Sequence, residues 1–177
     1  KSEPEPEPYV VCLSFNEFTP TSFDSVIGGS NLDQFLADDQ DVTYFKQMLE
    51  DASENGIIDR SELDTSSNTL FIPRDDAFEL ATNNYNTDNS NADNYQQLDV
   101  SGFIETILPN DAIKNFIYDK GALIITTNIL QGNNYLKMQS GNYIKLGSII
   151  PFFSNLPISI SRVHLLSELP EVCVPGE

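Results

Sequence analysis

The chain is expected to fold as an α+β domain, and three observations lead there. Apolar residues recur at helical spacing through much of the first 120 positions. After Gly121 the pattern changes to alternation with period two, the mark of strands. Between these, residues 69–78 form an apolar strand that stops at a proline and turns at once into a helix start. Helices first, then strands, then a last strand is an α+β order.

Taken in order, Glu3, Glu5 and Glu7 alternate with Pro4, Pro6 and Pro8, a stiff acidic spacer. Residues 1–22 are assigned to this tail and a lead-in, 23–172 to the domain, and 173–177 to a C-terminal tail. Ser30 is expected to cap a helix through Leu32, Phe35 and Leu36. Asp41 is expected to cap a second, running from Val42 to Ala52 with Phe45, Met48 and Leu49 at helical spacing. Thr69, Leu70, Phe71 and Ile72 are strand formers, and Pro73 ends their ladder. Asp75 or Asp76 then caps a helix whose inward face is Ala77, Phe78 and Ala81. Residues 82–97 are Asn, Asp, Thr and Tyr with almost no aliphatic residue, which predicts a long, exposed, mobile insertion. Val100, Phe103, Ile104, Ile107 and Leu108 resume the helical period. Pro109 begins a short helix through Ile113, Phe116 and Ile117. Residues 122–127 read as a strand. Residues 135–139 and 143–146 alternate across Ser140, Gly141 and Asn142, a hairpin burying Leu136, Met138, Ile144 and Leu146.

Two of these segments carry a resemblance. The first is Thr69-Leu-Phe71-Ile-Pro73-Arg-Asp-Asp-Ala77-Phe78, and the second is Val163-His164-Leu-Leu-Ser-Glu-Leu169-Pro170. They resemble the signature boxes of fasciclin-like domains, which read approximately T-x-F-x-P-x-x-x-A-F and V-H-x-x-(D)-x-x-L-P. The resemblance covers roughly residues 23–172. It implies a single domain built as a bent antiparallel β-sheet wedge with helices packed at one end. It also implies a module for adhesion and protein–protein contact, not catalysis. Tyr118 matches the tyrosine of the family's Tyr-His pair, but Asp119 stands where the histidine belongs. Leu166, Ser167 and Glu168 replace the Asp-Ile of the second box. Those segments are implicated in integrin contact in animal members, so an integrin ligand is not expected. His164 matches the second-box histidine and is expected to be a buried hydrogen bonder.

A chain of 177 residues, 40% hydrophobic, has the length and composition for one domain with a core. No apolar run approaches the length of a membrane span. The first residues do not read as a signal peptide, so a secreted form is expected to have lost its targeting segment. Nine basic residues against 27 acidic ones give −18, a field that repels phosphate backbones and anionic lipid. Nucleic acid and direct membrane insertion are therefore not expected, whereas a cation or a protein partner with basic patches fits. Solubility accounts for such a surplus as well.

Cys12 and Cys173 flank the whole domain, an arrangement that suggests a disulfide between the entering and leaving segments. A disulfide implies an oxidising compartment: extracellular, cell surface, or a periplasmic or organellar lumen. Two reduced thiols in a cytosolic protein are the alternative.

One further pattern bears on cofactors. Asp51, Ser53, Asn55, Asp59 and Glu62 fall at positions 1, 3, 5, 9 and 12 of an EF-hand-like loop with Gly56 at the turn, the ligand spacing for Ca²⁺. The same residues also suit a helix C-cap with Ile57 and Ile58 in the core, and residues 63–68 look too short and polar for an exiting helix. No other cofactor is expected. A single histidine rules out a histidine-based metal cluster, and no G-x-S-x-G, phosphate-cradling glycine loop or C-x-x-C occurs. The leading expectation is thus a non-enzymatic interaction module. A second is an extrinsic subunit of a larger complex, for instance on the lumenal side of a photosynthetic membrane. The lack of an N-x-S/T sequon among many asparagines favours a bacterial or organellar lumen over a glycosylated animal surface. A third is a calcium-dependent binding module built on residues 51–62.

Overall fold

The strand at Thr69–Pro73 is buried at all five positions. The computed structural model describes residues 10–12, 31–38, 40–119, 121, 135–145, 151–158 and 161–175. In chain order the elements are β1 (Val10–Cys12), α1 (Leu32–Asp38), a 3₁₀ turn (Gln40–Val42), α2 (Thr43–Glu54), α3 (Arg60–Thr65), β2 (Thr69–Pro73), α4 (Asp75–Asn89) and α5 (Val100–Thr106). A 3₁₀ helix (Ala112–Phe116) follows, then β3 (Tyr135–Lys137), β4 (Tyr143–Lys145), β5 (Pro151–Ile158), β6 (Ser161–Leu166) and β7 (Val172–Pro175). The fold is α+β.

The two box segments are hydrogen-bonded neighbours. β2 pairs with β6 in parallel, with Phe71 opposite His164 and Pro73 opposite Leu166. Pro73 has no N–H, and the Arg74 amide continues the ladder to the Leu166 carbonyl at 2.9 Å. Because successive side chains on a strand point to opposite faces, β2 serves two cores at once. Leu70 and Ile72 join Val163 and Leu165 in the helix-side core with Phe45, Leu49, Phe78 and Phe116. Phe71 and Leu166 face the other way, into a smaller cluster with Tyr118, Leu136, Met138 and Ile144. A strand buried on both faces needs an unbroken apolar run, which is what residues 69–73 supply.

The described residues form two sheets, one of order β1-β7-β4-β3 and one of order β2-β6-β5. The segment around Ile117 stitches them together: Leu70 bridges Ile117, Tyr118 bridges Met138, and the Tyr118 amide donates to the Thr69 carbonyl at 3.0 Å. The family resemblance implies a bent antiparallel wedge; the pairing is mixed, since β2–β6 and β1–β7 are parallel. Each of these pairs joins segments far apart in the chain, and parallel pairing requires such long crossovers. The adjacent pairs β3–β4 and β5–β6 are antiparallel. The expected hairpin is present, with Leu136, Met138 and Ile144 buried and Gly141 at φ +88° in its turn. Leu146, the strand expected at 122–127 and the spacer at 3–8 lie outside the described residues. Val10–Cys12 and Val172–Pro175, assigned from sequence partly to lead-in and tail, are strands of the first sheet.

The helix caps depart from expectation in an instructive way. Asn31, not Ser30, caps α1, accepting from the Gln34 amide at 2.8 Å; Ser30 itself lies outside the described residues. Asp41 does not cap α2, whose first residue follows Val42 with no side-chain cap. The Tyr44 amide instead finds Asp75 Oδ1 at 3.0 Å, from 31 residues away. Asp75 and Asp76 therefore do not cap their own helix: Asp75 caps α2, and Asp76 pairs with Arg74, which reaches Asp41 at 2.9 Å. One carboxylate thus locks the packing of α2 on α4 while satisfying an orphan helix amide.

The mobile insertion expected at 82–97 is also corrected. Residues 82–89 continue α4, with Thr82 buried and its hydroxyl donating to the Phe78 carbonyl at 2.8 Å. Asn86 holds the return of the chain through a reciprocal pair, Nδ2 donating to the Leu98 carbonyl at 2.8 Å and Oδ1 accepting from the Leu98 amide at 3.0 Å. Tyr85 meets Phe103 edge-on at 5.9 Å.

Candidate functional site: a cleft between α2 and α5

Residues 51–62, the candidate calcium loop, form a helix-turn-helix. Asp51 and Ser53 belong to α2, and Asn55 is its C-cap. Gly56 has φ +72°, and the Ile57 amide donates to the Ala52 carbonyl at 2.9 Å while the Gly56 amide donates to that of Ser53 at 3.2 Å. That is the Schellman arrangement, closed by the half-buried Ile57 over Ala52. Asp59 caps α3, and Glu62 lies inside that helix. Residues 60–65 are helical after all, because Leu63 is buried and anchors the turn. Among the described residues, no three His, Cys, Asp or Glu side chains are grouped to hold a metal ion.

Two expected outcomes follow at this turn. A Cβ at Gly56 would meet no atom within 4 Å, so only its left-handed backbone penalises substitution. Gly56→Ala is expected to cost about 1–2 kcal/mol in urea unfolding, with Gly56→Asn recovering part of the loss. At Asp59, the Ser61 hydroxyl and then the Ser61 amide, at 2.6 and 3.0 Å, hold the carboxyl below its ordinary value of 3.8. A depressed folded-state value means the cap's contribution is complete above the unfolded value and is lost as pH falls through the folded one. A carbon-detected NMR titration should place the Asp59 midpoint below 3.8, and Ser61→Ala should move it back upward.

The same turn forms one wall of a cleft of about 420 Å³. Its other wall is the end of α5 and the chain leading to the 3₁₀ helix. Ala52 and Ile113, both buried, make the floor; Met48, Ile57, Ile104 and Leu108, half-buried, make the walls. Asp51, Asn55, Glu105 and Asn110 stand exposed at the rim. Ile107, 40% exposed, adjoins the α5 wall and is one of two large apolar side chains so exposed among the described residues. Sequence reasoning placed Met48, Ile104 and Leu108 in the core on periodicity alone and did not single out Glu105 or Asn110. The signal that was present is charge: the last turns of α2 and α5 contain acids and no base, the reverse of what helix carbonyl ends favour.

The family-motif residues gather elsewhere, at the β2–β6 pair. His164 is 1% exposed and stacks on Phe71 with ring centroids 4.9 Å apart and planes at 19°. Tyr118 is buried in the same cluster. Thr69 donates its hydroxyl to the Gly121 carbonyl at 2.7 Å, and Ala77 and Phe78 are buried beneath α2. Pro73 and Pro170 are buried, and Leu169 packs against the helix-side core. Groups held away from their ordinary ionisation are scattered over three elements. Burial, then Asp75, Glu79 and Asp99, raises Tyr44, and burial lowers Arg162. Asp59 is the third.

Cys173 is buried on β7, opposite Val10, and Cys12 lies two residues further along, opposite Pro175. No free cysteine occurs among the described residues. Likewise, no helix among them is long and apolar enough to cross a membrane. No protein-family model matches the chain, and no curated protein sequence matches it.

Proposed function

We propose that this chain is a non-enzymatic, fasciclin-like interaction module that binds another protein. The single observation that carries the reading is the register of β2 on β6, which sets the two box segments side by side with Phe71 against His164. In that arrangement the histidine serves packing and is withdrawn from solvent, and the motif residues build a scaffold. The surface left for contact is the open cleft between α2 and α5, together with the acidic exterior of a chain with net charge −18. Scattered rather than clustered ionisation shifts fit a structural role for Tyr44, Asp59 and Arg162. The module works in an oxidising compartment, outside the cell, at its surface or in a periplasmic or organellar lumen, with Cys12 and Cys173 bridged. The parallel pairing of β1 on β7 supports that bridge by bringing the two backbone segments together.

Size-exclusion of a gently lysed native source, followed by capture on the immobilised full chain, tests this. A stoichiometric protein partner retained at physiological salt is expected. Elution at the 19.7 kDa of the chain alone, with no partner retained, would overturn the reading. Constant co-elution with one large particle would identify the module as an extrinsic subunit.

A further inference from the structure

We infer that the cleft between α2 and α5 docks a segment of the partner protein carrying apolar side chains flanked by lysine or arginine. This rests on the interaction-module reading and gives its partner a chemistry. The apolar half of the argument is shape. A buried floor and half-buried walls rise to a rim that is exposed. An enclosed pocket would surround a small molecule, whereas an open trough suits a length of chain laid across it.

The cationic half is electrostatic. α2 and α5 both end at this cleft, so the negative ends of two helix dipoles lie beside it. Asp51 and Glu54 stand in the last turn of one helix and Glu105 in that of the other, where the helices themselves would favour lysine or arginine. Among the described residues, no lysine or arginine lines the cleft. A charge arrangement that costs local stability, around an apolar trough, matches an amphipathic cationic ligand. Nucleic acid and anionic lipid are repelled, and the apolar walls offer a bare metal ion no ligands.

The test uses the full chain and three synthetic helical peptides: leucine at i, i+3, i+4 and i+7 with lysine elsewhere, the same leucines with glutamate, and serine with lysine. Fluorescence anisotropy is expected to show the leucine–lysine peptide binding at least about tenfold tighter than either other. The Asp51→Lys/Glu105→Lys variant should lose that binding by about tenfold or more while melting no lower than the parent, since lysine suits both helix ends. Asp88→Lys/Asp93→Lys, which changes net charge equally away from the cleft, should stay within about twofold of the parent. Equal loss in both variants, or equal affinity for the serine–lysine peptide, would overturn the inference by reducing it to bulk charge attraction. The peptides decide the cleft and the native-source capture decides the module, so either is able to fail alone.

Discussion

Replacing Phe78 with alanine is expected to lower the unfolding free energy by about 3–5 kcal/mol, the range for truncating a buried phenylalanine. Phe78 has no exposure and joins three elements. Its ring meets Tyr44 of α2 at 6.0 Å and 64°, and Phe116 of the 3₁₀ helix at 6.5 Å and 86°. Phe116 in turn tilts against Phe45 at 6.2 Å. Edge-on aromatic pairs add about 0.5–1.5 kcal/mol beyond the area they bury, so the loss belongs in the upper part of the range. The backbone around the site is pinned by the Asp75 cap on Tyr44 and by the β2 strand immediately upstream, which limits collapse into the cavity. Leu80, two residues on and 41% exposed, provides the contrast: Leu80→Ala is expected to change stability by less than about 0.5 kcal/mol. Guanidinium unfolding of both variants measures the difference, read from the midpoint at unchanged slope. A loss below about 1 kcal/mol at Phe78 would mean that the aromatic cluster is not packed as described.

The strand at 69–73 was legible because its physics is written in consecutive residues. Thr69 to Ile72 are read as strand formers ahead of a proline, and a strand buried on both faces suits such a run. The direction of its pairing was not legible, because parallel register depends on crossovers that no local pattern encodes. The insertion at 82–97 was misread for a different reason. Asparagine and threonine are poor helix formers, yet α4 runs through them because Asn86 and Tyr85 find partners at Leu98 and Phe103. Tertiary contacts override propensity there. The turn at 51–62 shows a degeneracy: Asp, Ser, Asn and Gly at short spacing serve a calcium loop and a pair of helix caps equally well. A left-handed glycine at position 56 suits both; the difference is that Asp51 and Ser53 lie inside α2, which the sequence does not carry. The cleft was hidden because a half-buried wall and a fully buried core share the same helical period.

Reduction of the protein under native conditions is expected to lower its unfolding free energy by about 4–5 kcal/mol in the chain-entropy limit, and by less where the bridge is strained. The proposed Cys12–Cys173 bridge closes nearly the whole chain into one loop, and the entropy removed from the unfolded state grows with loop length. The folded state gains as well. β1 is three residues long and holds an edge of its sheet through β7 alone, so its own ladder gives it little to stay docked. Alanine is the right replacement, because it adds no polar group at position 173, which is 2% exposed. Cys12→Ala, Cys173→Ala and the double variant should all fall to the stability of the reduced parent, since either substitution removes the whole bridge and the effects cannot add. Thiol titration of the denatured, unreduced protein checks the premise independently. Two reactive thiols there, or a guanidinium midpoint that reduction leaves unchanged, would remove the bridge and with it the argument for an oxidising compartment.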